Sequence, residues 1–135
     1  MAKLKRTYQE ERAELLRETQ GHCAYCGKPL APDSQWHRDH RIPRCQGGRG
    51  GRNFVPACAR CNLRKGADTP DEFREHLVRR VRKRLDYHIK PDLEELLPIL
   101  EAHAREQALE AYRVLMEAMQ PENVVFYIER ATNAE

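Results

Sequence analysis

No run of about 18 apolar residues occurs in this 135-residue sequence, and no charged-then-apolar segment opens it. That excludes a membrane-spanning helix and a secretion leader, so the chain reads as soluble and cytoplasmic. There is also no low-complexity tract, and no internal repeat beyond a doubled CxxC, which leaves a stacked-repeat architecture without support. At 15.8 kDa the chain is too short for two independent cores of usual size. Its net charge of +3 is modest but unevenly spread. Residues 21–66 carry nine Lys and Arg against two Asp, whereas residues 91–135 carry three Arg against ten acids. The positive field therefore belongs to the first half. Arg outnumbers Lys eighteen to six, a ratio that suits bidentate phosphate contacts and is explained about as well by codon bias.

Five cysteines make an odd count, which a simple disulfide framework does not accommodate. Four of them form two CxxC pairs, Cys23/Cys26 and Cys58/Cys61, with 31 residues between Cys26 and Cys58. Two such pairs can place four thiolates around one structural Zn²⁺, whereas a redox reading would account for one pair and leave its double unexplained. Cys45 is a spare loop thiol.

The coarse organisation is mixed. Residues 8–19, "YQEERAELLRET", read as a short helix ending before Gly21. "SQWHRDHRIP" at 34–43 and "NFVPAC" at 53–58 read as strands, with Pro56 suggesting an edge or irregular position. The chain turns helical from Asn62, and "TPDEF" signals another helix with Thr69 as N-cap and Pro70 in its first position. In that helix Phe73, Leu77, Val81 and Leu85 recur at spacing four, and five of the six residues from Arg79 to Arg84 are basic. They form either a solvated face or a ridge beside a phosphate backbone. Further on, Leu93, Leu97, Leu100, Ala104, Ala108, Tyr112, Leu115 and Met119 share a face, interrupted by Pro98. A kinked or split helix is expected there, packing on this protein or on a second copy as a homodimer. "NVVFYIER" fits a strand or a last helix.

Between and beside the cysteine pairs lie Asp39, His40, Asn53 and Asn62. Taken singly, an Asp-His pair is usually a surface pair, Asn53 a turn residue and Asn62 a helix cap. Hydrolysis of a phosphodiester needs a base for the attacking water and a cation to take up charge on the phosphoryl group. An imidazole with a pKa near about 6.5 suits the first task, which His40 would perform. A hard cation such as Mg²⁺ takes oxygen ligands, which Asp39 and Asn62 would supply. Consecutive strand residues point to opposite faces, so Asp39 and His40 can address one site only where the strand ends or twists. His37 shares the strand face of Asp39 and is a weaker choice for a further ligand or substrate contact.

The segments "DHRIPRCQGG", "NFVPAC" and "CNLRKG", flanked by the two CxxC pairs, together resemble the HNH endonuclease family over roughly residues 21–75. The resemblance implies an α+β protein with a ββα-metal core and a structural Cys₄ zinc, to which the helical patterns on either side add an N-terminal helix (1–20) and a helical C-terminal extension (76–135). It implies that Asp39 and Asn62 hold the catalytic Mg²⁺ or Mn²⁺, that His40 activates water and that Asn53 braces the loop carrying His40. The expected activity is hydrolysis of DNA, leaving 5′-phosphate and 3′-hydroxyl ends. Among the basic residues around the constellation, Arg41, Arg44, Arg64 and Lys65 are expected to contact the nucleic-acid backbone. The competing expectation is a non-catalytic zinc module that binds DNA or a protein.

Overall fold

In a computed structural model of the chain, residues 7–31, 35–49 and 53–133 are described; Ser34, where the first expected strand begins, and Arg52 of the basic loop lie outside them. Helix α1 (Tyr8–Glu18) starts where Thr7 and Glu10 form a reciprocal capping box, each side chain accepting from the other's backbone N–H. Its buried residues are Leu15 and Leu16, the apolar pair of the sequence. The helix stops at Gln20 and Gly21, both with positive φ.

Strands β1 (Trp36–His40) and β2 (Phe54–Cys58) form a two-stranded antiparallel sheet in which Trp36 lies opposite Cys58 and His40 opposite Phe54. Pro56 is tolerated in β2 because the strand has one neighbour, and the Pro56 carbonyl instead accepts from the Ala24 N–H at 2.9 Å. That bond lays the first cysteine pair against the strand. Helix α2 (Ala59–Lys65) follows β2 without a loop. It begins three residues before Asn62 because the Cys58 sulfur caps it, accepting from the Cys61 N–H at 3.4 Å.

Of the described residues, those up to Pro70 and those from Val125 onward form one compact unit, and Asp71–Val124 form a second. In the first, helix α6 (Tyr127–Asn133) resolves the ambiguity of "NVVFYIER" in favour of a helix. It docks through its first turn: the Tyr127 and Ile128 N–H groups donate to the Tyr25 and Ala24 carbonyls at 3.0 and 2.8 Å. Helix α3 (Pro70–Arg84), which opens the second, buries Phe73 and Val78, and Leu85 just after it is buried too, while Val81 of the expected stripe stays exposed. A π-helical turn at Leu85–Ile89 leads to α4 (Lys90–Leu96), and Pro98 sits in a short 3₁₀ turn before α5 (Ala102–Ala118). The helix is thus split at Pro98, where Leu100 becomes extended. Along the expected seam, Leu115 is exposed and Met116 takes the half-buried position instead. No helix among the described residues is long and apolar enough to cross a membrane.

Candidate functional site

The four cysteines of the two CxxC pairs converge. Their sulfur atoms all lie within 4.8 Å of one another, and the Cys26 and Cys58 sulfurs are 3.9 Å apart. Tetrahedral Zn–S bonds of about 2.3 Å would put the sulfurs at nearly that separation, so the set is compatible with a structural zinc ion. Backbone donors already serve the sulfurs: the Cys58 N–H points at the Cys23 sulfur and the Cys61 N–H at that of Cys58, both at 3.4 Å. The Cys61 thiol and this backbone N–H hold the Cys23 thiol well below its ordinary pKa against its burial. Its thiolate in turn pushes Cys61 upward, and burial raises Cys26. One negative charge is comfortable here; four require a cation among them. Cys45 stands apart, exposed in the loop.

Asp39 points inward from β1 and is 6% exposed. Its Oδ2 accepts from the Tyr25 hydroxyl at 2.5 Å and pairs with the Lys65 ammonium at 3.2 Å. Its Oδ1 accepts from the Asn62 amide at 3.2 Å. Lys65 reaches this carboxylate from the last turn of α2 and also donates to the His40 carbonyl at 2.8 Å, so it ties the end of β1 to the helix. A buried carboxylate and a buried ammonium satisfy one another, and neither would be tolerated alone. Burial and the adjacent Asp39 carboxylate push the Tyr25 phenol upward, so its hydroxyl keeps its proton and remains a donor.

Asp39 and Asn62 are therefore neighbours, joined through the Asn62 Nδ2, whereas His40 takes the other strand face. The His40 ring is half-buried and lies 4.4 Å from the ring of Phe54, its cross-strand partner. The strand ends at His40, and the chain then bends. Asn53 holds that bend. Its amide accepts from the Ile42 N–H at 2.9 Å and donates to the Ile42 carbonyl at 2.7 Å, while its backbone carbonyl accepts from the Arg41 N–H at 2.8 Å. Gly48 packs against this brace so closely that a Cβ there would lie 1.8 Å from the Ile42 carbonyl oxygen. His37 is exposed.

Arg41 and Arg44 are exposed, and Arg64 is half-buried. Lys65 corrects an expectation: with 1% exposure and its ammonium on Asp39, it is an internal cation and cannot meet a nucleic-acid backbone. A lysine in a basic run reads as surface, because sequence does not show which residue of a short helix turns inward. Tyr25 joins the site without having stood out in the sequence. Its signal was an aromatic hydroxyl inside "CAYC", beside metal-ligating cysteines where a purely apolar residue would serve packing equally well.

No curated protein and no solved structure matches the chain. Residues 23–78 match the family model described as HNH endonuclease, a span that opens on Cys23 and takes in Asp39, His40, Asn53, Asn62 and Lys65. Over that segment, which holds both the cysteine cluster and the Asp39 network, the chain is similar to the HNH endonuclease family.

Proposed function

We propose that the chain is a metal-dependent endonuclease that hydrolyses DNA phosphodiester bonds, built on a ββα-metal core of β1, β2 and α2 with a zinc ion held by Cys23, Cys26, Cys58 and Cys61. The observation that carries this reading is the meeting of the Asp39 carboxylate and the Asn62 amide, 3.2 Å apart, next to the strand end that presents His40. The contact is made by the Asn62 Nδ2, and the Asp39 carboxylate and the Asn62 amide oxygen are the donors that suit Mg²⁺ or Mn²⁺, which keep most of their waters and need few protein ligands. Such an ion supplies charge neutralisation at the phosphoryl oxygens when bound. His40 is the general base that takes the proton of the attacking water, and its contact with Phe54 fixes the plane of its ring. Asn53 braces the bend after His40, and the exposed Arg41 and Arg44, with Arg64, position the DNA backbone.

One observation favours a second reading, a non-catalytic module that binds DNA or a protein. Asp39 is buried and already has Tyr25, Lys65 and Asn62 as partners, a structural role that engages both of its oxygens. Supercoiled plasmid separates the two. A nuclease converts it to nicked or linear DNA with Mg²⁺ or Mn²⁺ and stops when EDTA is added, whereas the module leaves it intact with every divalent ion tried.

A further inference from the structure

We infer that the C-terminal segment from Phe126 to Ile128, which lies outside the span matched to the family, is a working part of the cation site: it seats Tyr25, and Tyr25 sets the rotamer of Asp39. This rests on the nuclease reading of Asp39 and Asn62. The two oxygens of Asp39 are unequally used. Oδ2 takes both the Tyr25 hydroxyl and the Lys65 ammonium, while among the described residues Oδ1 takes the Asn62 amide N–H alone, which leaves it a second lone pair. Tyr25 is 5% exposed, and its short bond to Oδ2 dictates which oxygen remains for the ion.

Tyr25 is itself seated from the chain's other end. Phe126 is 3% exposed and meets the Tyr25 ring edge to face, with centroids 5.2 Å apart and an interplanar angle of 84°. The Tyr127 and Ile128 N–H groups bond the Tyr25 and Ala24 carbonyls. The Tyr127 ring stacks on His22 at 5.0 Å, and its hydroxyl lies 3.3 Å from the His22 Nδ1. Two backbone bonds and two ring contacts thus grip residues 22–25 over three consecutive residues of the C-terminal segment. A segment needed only to cover apolar surface would not require this backbone register on a cysteine knuckle. Tyr25 and Phe126 are positioning residues: neither is a ligand, and each acts through the next side chain inward.

The test is Mn²⁺ binding to the full-length zinc-loaded protein, read by electron paramagnetic resonance of the free ion, for the parent and for Tyr25→Phe, Phe126→Leu and Asn62→Ala. Tyr25→Phe keeps the ring and loses only the hydroxyl, and Phe126→Leu keeps an apolar side chain if a smaller one would not fold. Zinc content and melting temperature are measured alongside. Tyr25→Phe should keep its zinc and bind Mn²⁺ roughly 10- to 100-fold more weakly, the usual loss for a partner of a ligand, with Phe126→Leu displaced in the same direction. Nicking should return toward the parental maximum as Mn²⁺ is raised, a change in the half-maximal metal concentration that a merely structural role would not produce. If Asn62→Ala loses Mn²⁺ while Tyr25→Phe binds it like the parent, this inference fails and the nuclease reading stands. If the parent binds Mn²⁺ no better than Asn62→Ala, both fail.

Discussion

Lys65 and Asp39 form an ion pair in the interior of the first unit, with side-chain exposures of 0% and 7%. Such a pair is costly to halve. Asp39→Ala should lower unfolding free energy by about 3–5 kcal/mol, because it strands an ammonium without counter-charge. Adding Lys65→Met should recover much of that loss, a coupling that a urea-denaturation double-mutant cycle would measure. Strict additivity of the two substitutions would mean that the pair contributes nothing as a pair. At Gly48 the constraint is steric: Gly48→Ala places a Cβ 1.8 Å from the Ile42 carbonyl oxygen and 2.6 Å from the Asn53 amide nitrogen. The loop must shift and the brace open, at about 1–3 kcal/mol in stability, seen as a lowered melting temperature. A melting temperature equal to the parent's would show that the loop gives way without cost. The need for both residues was hidden in the sequence. Gly48 stands in a run of glycines whose members look alike, and Lys65 lies in a basic run, yet each answers to one atom across the fold.

At the scale of elements, the cysteine spacing and the Asp39, His40, Asn53 and Asn62 order made most of the candidate site legible, because His40 ends β1, Asn53 precedes β2 and Cys58 caps α2. Other limits escaped. The first strand is Trp36–His40, and residues 35 and 41–43 of the expected stretch lie outside it, since pairing with β2 extends only from Cys58 to Phe54. Helix α2 starts early because a cysteine sulfur caps it, and sulfur is not among the familiar capping groups. Cys58 thus caps a helix and belongs to the cysteine cluster at once. Cys58→Ser should lose bound zinc and melting temperature together, whereas Cys45→Ser, in the exposed loop, should change neither. Zinc analysis showing full occupancy in Cys58→Ser would remove that residue from the ligand set. In α3, the basic run divides by role: Arg82 donates to the Met116 and Met119 carbonyls and so closes the end of α5, while Arg80 and Arg84 are exposed. If the exposed pair meets DNA, replacing Arg80 and Arg84 with Ala should flatten the salt dependence of binding by roughly one unit per lost phosphate contact. An unchanged slope would return the run to a solvated face.

At the scale of the whole molecule, the sequence divides charge between its halves, and the structure divides the described chain into two units with the C-terminal residues returning to the first. That return was not legible, because the pattern of "NVVFYIER" fits two conformations and says nothing of where either would dock. The folding scaffold and the proposed hydrolytic site share one small unit while depending on different residues. The most direct measurement is the plasmid nicking rate of His40→Ala against the parent, at saturating Mg²⁺ and with zinc content, melting temperature and DNA binding measured on the same samples. His40 is half-buried, and its ring contact is with Phe54, so the substitution leaves the cysteine cluster and the Asp39 network in place. Zinc and DNA binding should be unchanged and nicking reduced roughly 10²- to 10⁴-fold, the range for loss of a general base. Cleavage by His40→Ala at the parental rate would contradict that role.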